Sequence, residues 1–479
     1  MKKILPIAVL IFASTLVISS RLYAQFPEDV LRLSTPGVGV GARGIALGMA
    51  YTGVANDFSA AYSNPAGLGQ LRLNEVSVGL SNISYGNTST LFGTSQSFTN
   101  TGTSLNSLGL VYSVPTTRGS LVIALGYGRQ SDFTTGLSFK GFNPRSSIIQ
   151  SWAPDGGAIP NRDPSGNLAW ELYLANKSPA DTNLWDSKIR DSLTQSGKVI
   201  EGGGLNHWSA SVAFEAAKDL YLGATLNIVS GSYSYRRNYF EDDLGNFYQT
   251  SPFDFKSVSL LETVESDLSG FSGGLGMLYR FGENSRVGLA IKTPSWINVK
   301  ETYAQSATSD FDNGDRFSFI AADNQPNEYD VSTPFVLSGG LSYGIRSLML
   351  VASFDYTDWT QMEFRNAGSE LLKYNIQIKE QFQPTADVHV GAEYEAISNL
   401  LQLRGGFAYL RSPYQGDPAA FDKKYITAGA GFVVADAMVI DLAFVHGYWQ
   451  NYVLNYDATS RTNEDITTNN LIGTISYRF

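Results

Sequence analysis

Gly41 to Gly69 reads GARGIALGMAYTGVANDFSAAYSNPAGLG. Small residues at Gly41, Ala42, Gly44, Ala46, Gly48, Ala50 and Gly53 let backbones approach closely, but they offer too little apolar area for a core of their own. Such a block must be packed inside something else. It lies just behind an apolar leader and just ahead of long alternating segments, so it reads as a small plug placed before a barrel.

The leader is Met1 to Ala24: a basic start at Lys2 and Lys3, an apolar stretch from Ile4 to Ile18, and a small residue closing Arg21-Leu22-Tyr23-Ala24. This is the pattern of a secretory signal peptide cut after Ala24. The apolar stretch, broken by Pro6, Ser14 and Thr15, is short for a spanning helix of about 20 residues. No cysteine stands at the cut, which excludes a lipidated end. From Gln25 onward no apolar run is long enough for a helix span, so a membrane location demands a closed barrel, in which every backbone group is paired. The last segment agrees. Leu471, Gly473, Ile475, Tyr477 and Phe479 share one face, and the chain stops on an aromatic residue.

Loss of Lys2, Lys3 and Arg21 takes the formal charge from -10 to -13. So acidic a chain is a poor partner for nucleic acid, which needs clustered Lys and Arg. The absence of cysteine fits export without fixing the compartment. Aromatics at 13% and 47 glycines suit a barrel with aromatic girdles, although a secreted β-sandwich shares that composition. Architecture has to decide between them.

From Leu73 the chain alternates in period two, as strands with one apolar face do. Leu220, Leu222, Ala224, Leu226 and Ile228 alternate with Tyr221, Gly223, Thr225 and Asn227; the same holds around Phe335–Tyr343 and Leu348–Tyr356. Strands are expected near 73–85, 104–114, 119–140, 205–217, 219–240, 264–281, 285–301, 327–345, 347–366, 374–395, 399–412, 422–435, 437–455 and 465–479. That makes fourteen, an even number, as in single-chain bacterial barrels. Short joints such as Ala217-Lys218, Ile345-Arg346 and Asp436 suit one side of a membrane, and the polar excursions 141–204, 241–263, 302–326 and 413–421 suit the other. The longest, 141–204, carries Trp152, Trp170 and Trp185 and is expected to fold over the barrel mouth. Its apolar residues either pack on one another or catch a ligand.

With a plug, fourteen strands and a terminal Phe, the chain resembles the FadL/TodX (OMPP1) family of outer-membrane transporters for long-chain fatty acids and other hydrophobic compounds. The specific match is in the plug: Gly41-Ala42-Arg43-Gly44, Val54-Ala55-Asn56-Asp57, Ser59-Ala60-Ala61-Tyr62 and Asn64-Pro65-Ala66-Gly67-Leu68. Weaker support comes from Asp355-Tyr356-Thr357-Asp358-Trp359, Gly391-Ala392-Glu393-Tyr394 and Arg404-Gly405-Gly406-Phe407. The 141–204 insertion departs from the simplest family pattern. The resemblance implies a signal peptide (1–24), a hatch (25–72) and a fourteen-stranded antiparallel transmembrane β-barrel (73–479) in the bacterial outer membrane. It implies hydrophobic ligands (fatty acids, hydrocarbons or aromatics), a lipid and lipopolysaccharide surround, insertion by the barrel-assembly machinery, a monomer, and no cofactor or metal.

In that picture Asn64, Pro65 and Ala66 form the hatch motif, with Phe58 and Tyr62 beside it, and Phe26 reaches toward the ligand. The ligand leaves sideways near the third strand. Gly126 and Gly128 lie two apart on one face there, as a kink and opening would need, or as close packing against the hatch would need. A lateral exit has a physical motive, because an apolar ligand released into water loses burial of about 0.8 kcal/mol per methylene.

Other patterns do not hold up. Gly39-Val40-Gly41-Ala42-Arg43-Gly44 fits the dinucleotide fingerprint without a preceding strand. Gly340-Leu341-Ser342-Tyr343-Gly344 fits a nucleophile elbow but lies mid-strand. Asp310-Phe311-Asp312-Asn313-Gly314-Asp315 lacks the closing Glu of a calcium loop, leaving at most a loose surface site. His207, His389 and His446 are scattered over separate strands, which argues against a metal site. Two rival functions share the plan. A PorV-like secretion component would bind cargo proteins, and an outer-membrane lipase would need a Ser/His arrangement that is not evident here.

Overall fold

The structure is a computed structural model that describes residues 26–249, 254–282, 284–322, 326–435 and 437–479. The leader expected over residues 1–24 lies outside the described residues. Fourteen antiparallel strands close into a barrel. In chain order they are β1 (Glu75–Leu91), β2 (Thr94–Val114), β3 (Leu121–Asp132, resumed at Thr135–Asn143), β4 (Leu193–Ala217), β5 (Leu220–Asp242), β6 (Phe255–Phe281) and β7 (Ser285–Lys292, resumed at Trp296–Phe311). There follow β8 (Asn327–Ser332, resumed at Val336–Ile345), β9 (Leu348–Asp358, resumed at Glu363–Arg365), β10 (Pro384–Ile397), β11 (Leu401–Leu410), β12 (Lys423–Val434), β13 (Met438–Leu454) and β14 (Arg461–Arg478). The last strand pairs with the first from Glu75↔Arg478 to Thr90↔Asn463, which removes the free edges.

Alternation puts Leu226, Ile228, Leu275, Leu341 and Leu471 on the outside, where an apolar band needs them. Exposed aromatics border that band at both heights. Tyr112, Phe214, Tyr279, Tyr343, Tyr394 and Tyr477 lie beside the short turns, and Trp208, Phe271, Phe335, Tyr356 and Tyr448 lie farther up the strands. No helix among the described residues is long and apolar enough to cross a membrane, so the strands must do it.

The expected strand at 374–395 is corrected. Ser369–Gln381 is a helix, α6 in chain order, and β10 starts at Pro384. Tyr374, Ile376 and Ile378 imitate a two-residue period, but Leu371 and Ile378 form the buried face, one helical stripe apart, and Glu370 pairs with Lys373 at 2.6 Å. The excursions are also shorter than expected. Strands run on into 141–204 and 241–263, and Arg316–Ala322 folds back on β7 from Asp310↔Arg316 to Ala304↔Ala322.

Between β3 and β4, residues 144–192 build a cap with α4 (Ile148–Trp152) and α5 (Leu168–Glu171). Its core holds Ile149, Leu172 and Trp185, packed against Leu193, Tyr239 and Phe255 of the upper wall. The apolar residues of this segment do pack on one another. The N-terminal block, with α1 (Pro27–Ser34), α2 (Ala42–Ala46), α3 (Ala60–Ser63) and a 3-10 turn over Pro65–Gln70, sits inside the barrel. It touches the inner faces of strands on all sides.

Candidate functional site

The hatch is held by polar contacts that radiate to the wall. Arg43 of α2 donates twice to Glu393 of β10, at 2.8 Å each, and also bonds Asn56. Glu393 accepts a third bond from Arg404 at 2.7 Å, and Arg404 reaches Asp441 at 2.5 Å. On the opposite side the Glu75 carboxylate takes the Phe58 N–H at 3.0 Å and an Arg478 bond at 2.8 Å. Ala42 N–H donates to the Thr474 hydroxyl and Gly48 N–H to that of Thr427, both at 3.0 Å. A block too poor in apolar atoms to fold alone is thus fixed by charge and hydrogen bonds, and by packing of Leu47, Tyr51, Val54, Phe58 and Leu68 against Val111, Val122 and Val351 of the wall.

The Asn-Pro-Ala triplet lies on the inner wall of β5 and β6. Asn64 donates to the carbonyls of Thr52 at 2.9 Å and Met277 at 3.1 Å, while its Oδ1 accepts from Ala66 N–H at 3.2 Å and caps the 3-10 turn that Pro65 opens. Ala66 is fully buried. Phe58 fills the space left by missing side chains on the wall: a Cβ at Gly109 or Gly126 would meet its ring at 2.2 or 2.3 Å. Gly128 is the seat of Val40 in the same way, at 3.0 Å. Both strand glycines are paired in register with β2 and serve the hatch's close packing. Phe26 is half exposed, with its ring 6.3 Å from Tyr374 of α6, and lines neither of the cavities described below.

The break in the wall comes one step above these glycines. Ladder pairing of β2 with β3 runs from Val114↔Leu121 to Ser107↔Gly128 and stops; the resumed half, Thr135–Asn143, pairs with β4. Leu105 is the last exposed apolar residue of β2, so the break lies at the upper rim of the apolar band. A hatch strap, Thr35 to Gly41, spans it from within. On the β3 side Ser131 donates to the Thr35 carbonyl at 2.7 Å and Gly37 N–H to the Gln130 carbonyl at 2.9 Å. On the β2 side Asn106 donates to Gly39 at 3.2 Å and accepts from Gly41 N–H at 3.0 Å. Asn106 is the extra residue of a β-bulge, which turns its amide inward. A cavity of about 330 Å³ lies at this break, among Leu31, Arg32, Asn106, Phe133, Tyr425 and Trp449.

A second cavity of about 170 Å³ separates the hatch from β4 to β10. Leu33, Val38, Ile45 and Met49 make its apolar side, and Tyr62, His207, Lys292, Asp355 and His389 its polar side. The Lys292 ammonium stands 4.2 Å above the Tyr62 ring, and burial pushes the Tyr62 phenol well above its ordinary range. His389 Nε2 is 3.4 Å from Asp355, and its Nδ1 meets the Gly48 carbonyl at 3.1 Å. His207 is buried, and its Nε2 has no partner among the described residues. The histidines that sequence scatters are therefore brought together in part: His207 and His389 share this cavity, while His446 bonds Asn469 at 2.9 Å. No group of metal-ligating side chains occurs among the described residues.

A small plug inside a closed fourteen-stranded barrel with an apolar outer band defines a plugged, membrane-spanning β-barrel. The chain belongs to the outer membrane protein transport protein family (OMPP1/FadL/TodX), whose model matches residues 185–478, and it is a multi-pass barrel of the outer membrane. Over 196 residues it is 22% identical to outer membrane protein P1 of Haemophilus influenzae, an alignment covering 40% of each chain. The toluene transporter TodX of Pseudomonas putida superposes over 92% of this chain and 99% of its own, with a TM-score of 0.57 and 14% identity. A FadL homologue of Pseudomonas aeruginosa superposes over 92% and 98%, with a TM-score of 0.54 and 14% identity. The family is made of transporters and channels.

Proposed function

We propose that the chain is a passive channel for hydrophobic compounds that carry a polar or anionic head, long-chain fatty acids being the nearest class. The observation that carries this reading is the two-sided cavity between hatch and wall, apolar along Leu33, Val38, Ile45 and Met49 and cationic at Lys292. The Asp355 carboxylate shares that polar side, so an anionic head would join it there as a second partner for the Lys292 ammonium. The compound enters beneath the cap and rests there, and the hatch, pinned through Arg43, Phe58 and Asn64, closes the straight route. It leaves sideways where β2 and β3 part, once the strap over Asn106 and Gln130 lets go. Gly126 and Gly128 form the lower rim of that exit, and release into lipid keeps each methylene's burial of about 0.8 kcal/mol. The channel acts as a monomer among lipid and lipopolysaccharide, with its Phe479 end presented to the barrel-assembly machinery. Cargo binding in secretion has no comparable observation behind it.

Uptake of radiolabelled oleate and of toluene into proteoliposomes tests this. Lys292→Met is expected to reduce oleate uptake about tenfold, the worth of about 1.4 kcal/mol, and to leave toluene unchanged. Equal effects on both would remove the head-group role. Vesicles no better than protein-free ones for either probe would overturn the channel reading.

A further inference from the structure

A second interruption of the wall lies far from β3. In β7 the ladder breaks at Thr293-Pro294-Ser295 and in β8 at Thr333-Pro334-Phe335. Because Lys292 pairs with Val336 and Trp296 with Ser332, the two prolines face each other. Proline gives the ladder no donor and belongs at edges and bulges, so a facing pair inside a closed wall is a weak point. On one flank β6 offers Ser272-Gly273-Gly274, and on the other β9 leaves the sheet for a 3-10 turn at Trp359–Gln361.

Two backbone bonds cross the seam, Thr333 N–H to the Ser295 carbonyl at 3.1 Å and Thr293 N–H to the Gly273 carbonyl at 2.9 Å, and side chains supply the rest. Ser295 N–H donates to the Thr333 hydroxyl at 2.8 Å, Gly273 N–H to the Thr293 hydroxyl at 2.9 Å, and Phe335 N–H to Gln361 Oε1 at 3.2 Å. Each is a single bond to a rotatable group, worth about 1 kcal/mol net. The cavity that holds Lys292 reaches this seam. Its boundary includes Thr293, Ser295, Thr333 and Pro334, and also Leu275 and Ile291, whose side chains are on the exposed outer face. On the inside, the buried His207 Nε2 has no partner among the described residues. Outside, Phe271 and Trp296 lie ring to ring at 5.0 Å beside the exposed Phe335.

We infer that this seam is a second side door and binding site, where the tail of a single-chain amphiphile passes between β6, β7 and β8 to lie on Phe271 and Phe335 while its anionic head stays at Lys292. The inference rests on the channel reading above. It places contact with the membrane directly beside the polar end of the cavity, so tail and head are sorted without crossing the hatch.

Gly274→Leu is the direct test. A Cβ there meets nothing nearer than the Ile291 carbonyl at 3.6 Å, so the barrel folds and the seam is filled. The expected result is at least about a fivefold loss of oleate uptake, matched by a Ser295→Cys, Thr333→Cys pair when oxidised and reversed by reductant. In a chain with no cysteine this disulfide has no competitor. Uptake unchanged by both the filled and the stapled seam overturns the door. A readout free of transport separates this from failure of the channel reading: Ser272→Cys, on the buried face of β6, should react with an octadecyl maleimide confined to the bilayer and be protected by the seam disulfide. Labelling without oleate uptake supports the door and sinks the channel reading; no labelling overturns the door whatever the uptake.

Discussion

The cap and the hatch both obstruct one lumen, yet they are built in opposite ways. The cap is dry. Ile149, Leu172 and Trp185 bury themselves against Tyr239 and Phe255, and beneath them the buried Glu241 of β5 accepts from Ser147, Ile148 N–H, Gln195 and Tyr239. The hatch packs a core of mostly small residues around Leu47, Tyr51, Val54, Phe58 and Leu68, and ties it to the wall through polar bonds at Arg43, Asn64, Asn106 and Glu75. A large apolar core spread over the upper wall resists displacement as a unit, whereas anchors made of separable polar bonds can exchange one at a time.

The contrast breaks first at Glu241. Glu241→Ala strands three buried donors, Ser147, Ile148 N–H and Tyr239, since Gln195 keeps Ser146 and Tyr456, and should destabilise the cap by about 4 kcal/mol, read as trypsin cleavage within 144–192 while the barrel keeps its heat-modifiable mobility. Survival of the cap would mean that its core alone suffices. Trp185→Ala should cost about 3–4 kcal/mol in the same cleavage assay, again without loosening the hatch. Arg43→Ala should cost about 3 kcal/mol, softened because Glu393 keeps Arg404, and should appear as raised single-channel conductance with an intact cap. Conductance equal to that of the parent protein would show that the hatch does not depend on this pair. The smallest effect is expected at Asn106. Asn106→Ala gives up two bonds to the strap, about 1–2 kcal/mol, and should change oleate uptake while lowering the unfolding midpoint less than Arg43→Ala does.

Much of the barrel was legible because period two is a strong signal wherever one face meets lipid: Leu471, Ile475 and Tyr477 announce the last strand and its direction. The hatch was legible for the opposite reason, since its lack of apolar area required a container. Helix α6 was not, because Tyr374, Ile376 and Ile378 mimic a strand and only tertiary contact shows that Leu371 and Ile378 are the buried pair. Asn106 left a trace that could have been read: the outward leucines step from Leu105 to Leu108, a three-residue stride that betrays one extra residue. The meeting of His207, Lys292 and His389 could not be read, because they come from strands far apart in sequence whose register only the closed sheet fixes. Gly126 and Gly128 were seen, but their use as seats for Phe58 and Val40 depends on where the hatch lands.

The central claim is that the strap across the β2–β3 break must part for a hydrophobic compound to leave. A Cβ at Gly37 would lie 3.4 Å from Ser131 Cα, so Gly37→Cys with Ser131→Cys brings two cysteines within disulfide reach. Proteoliposomes carrying this pair should lose oleate uptake at least about tenfold when oxidised and regain it on reduction. Equal uptake in the oxidised and reduced states would contradict the account.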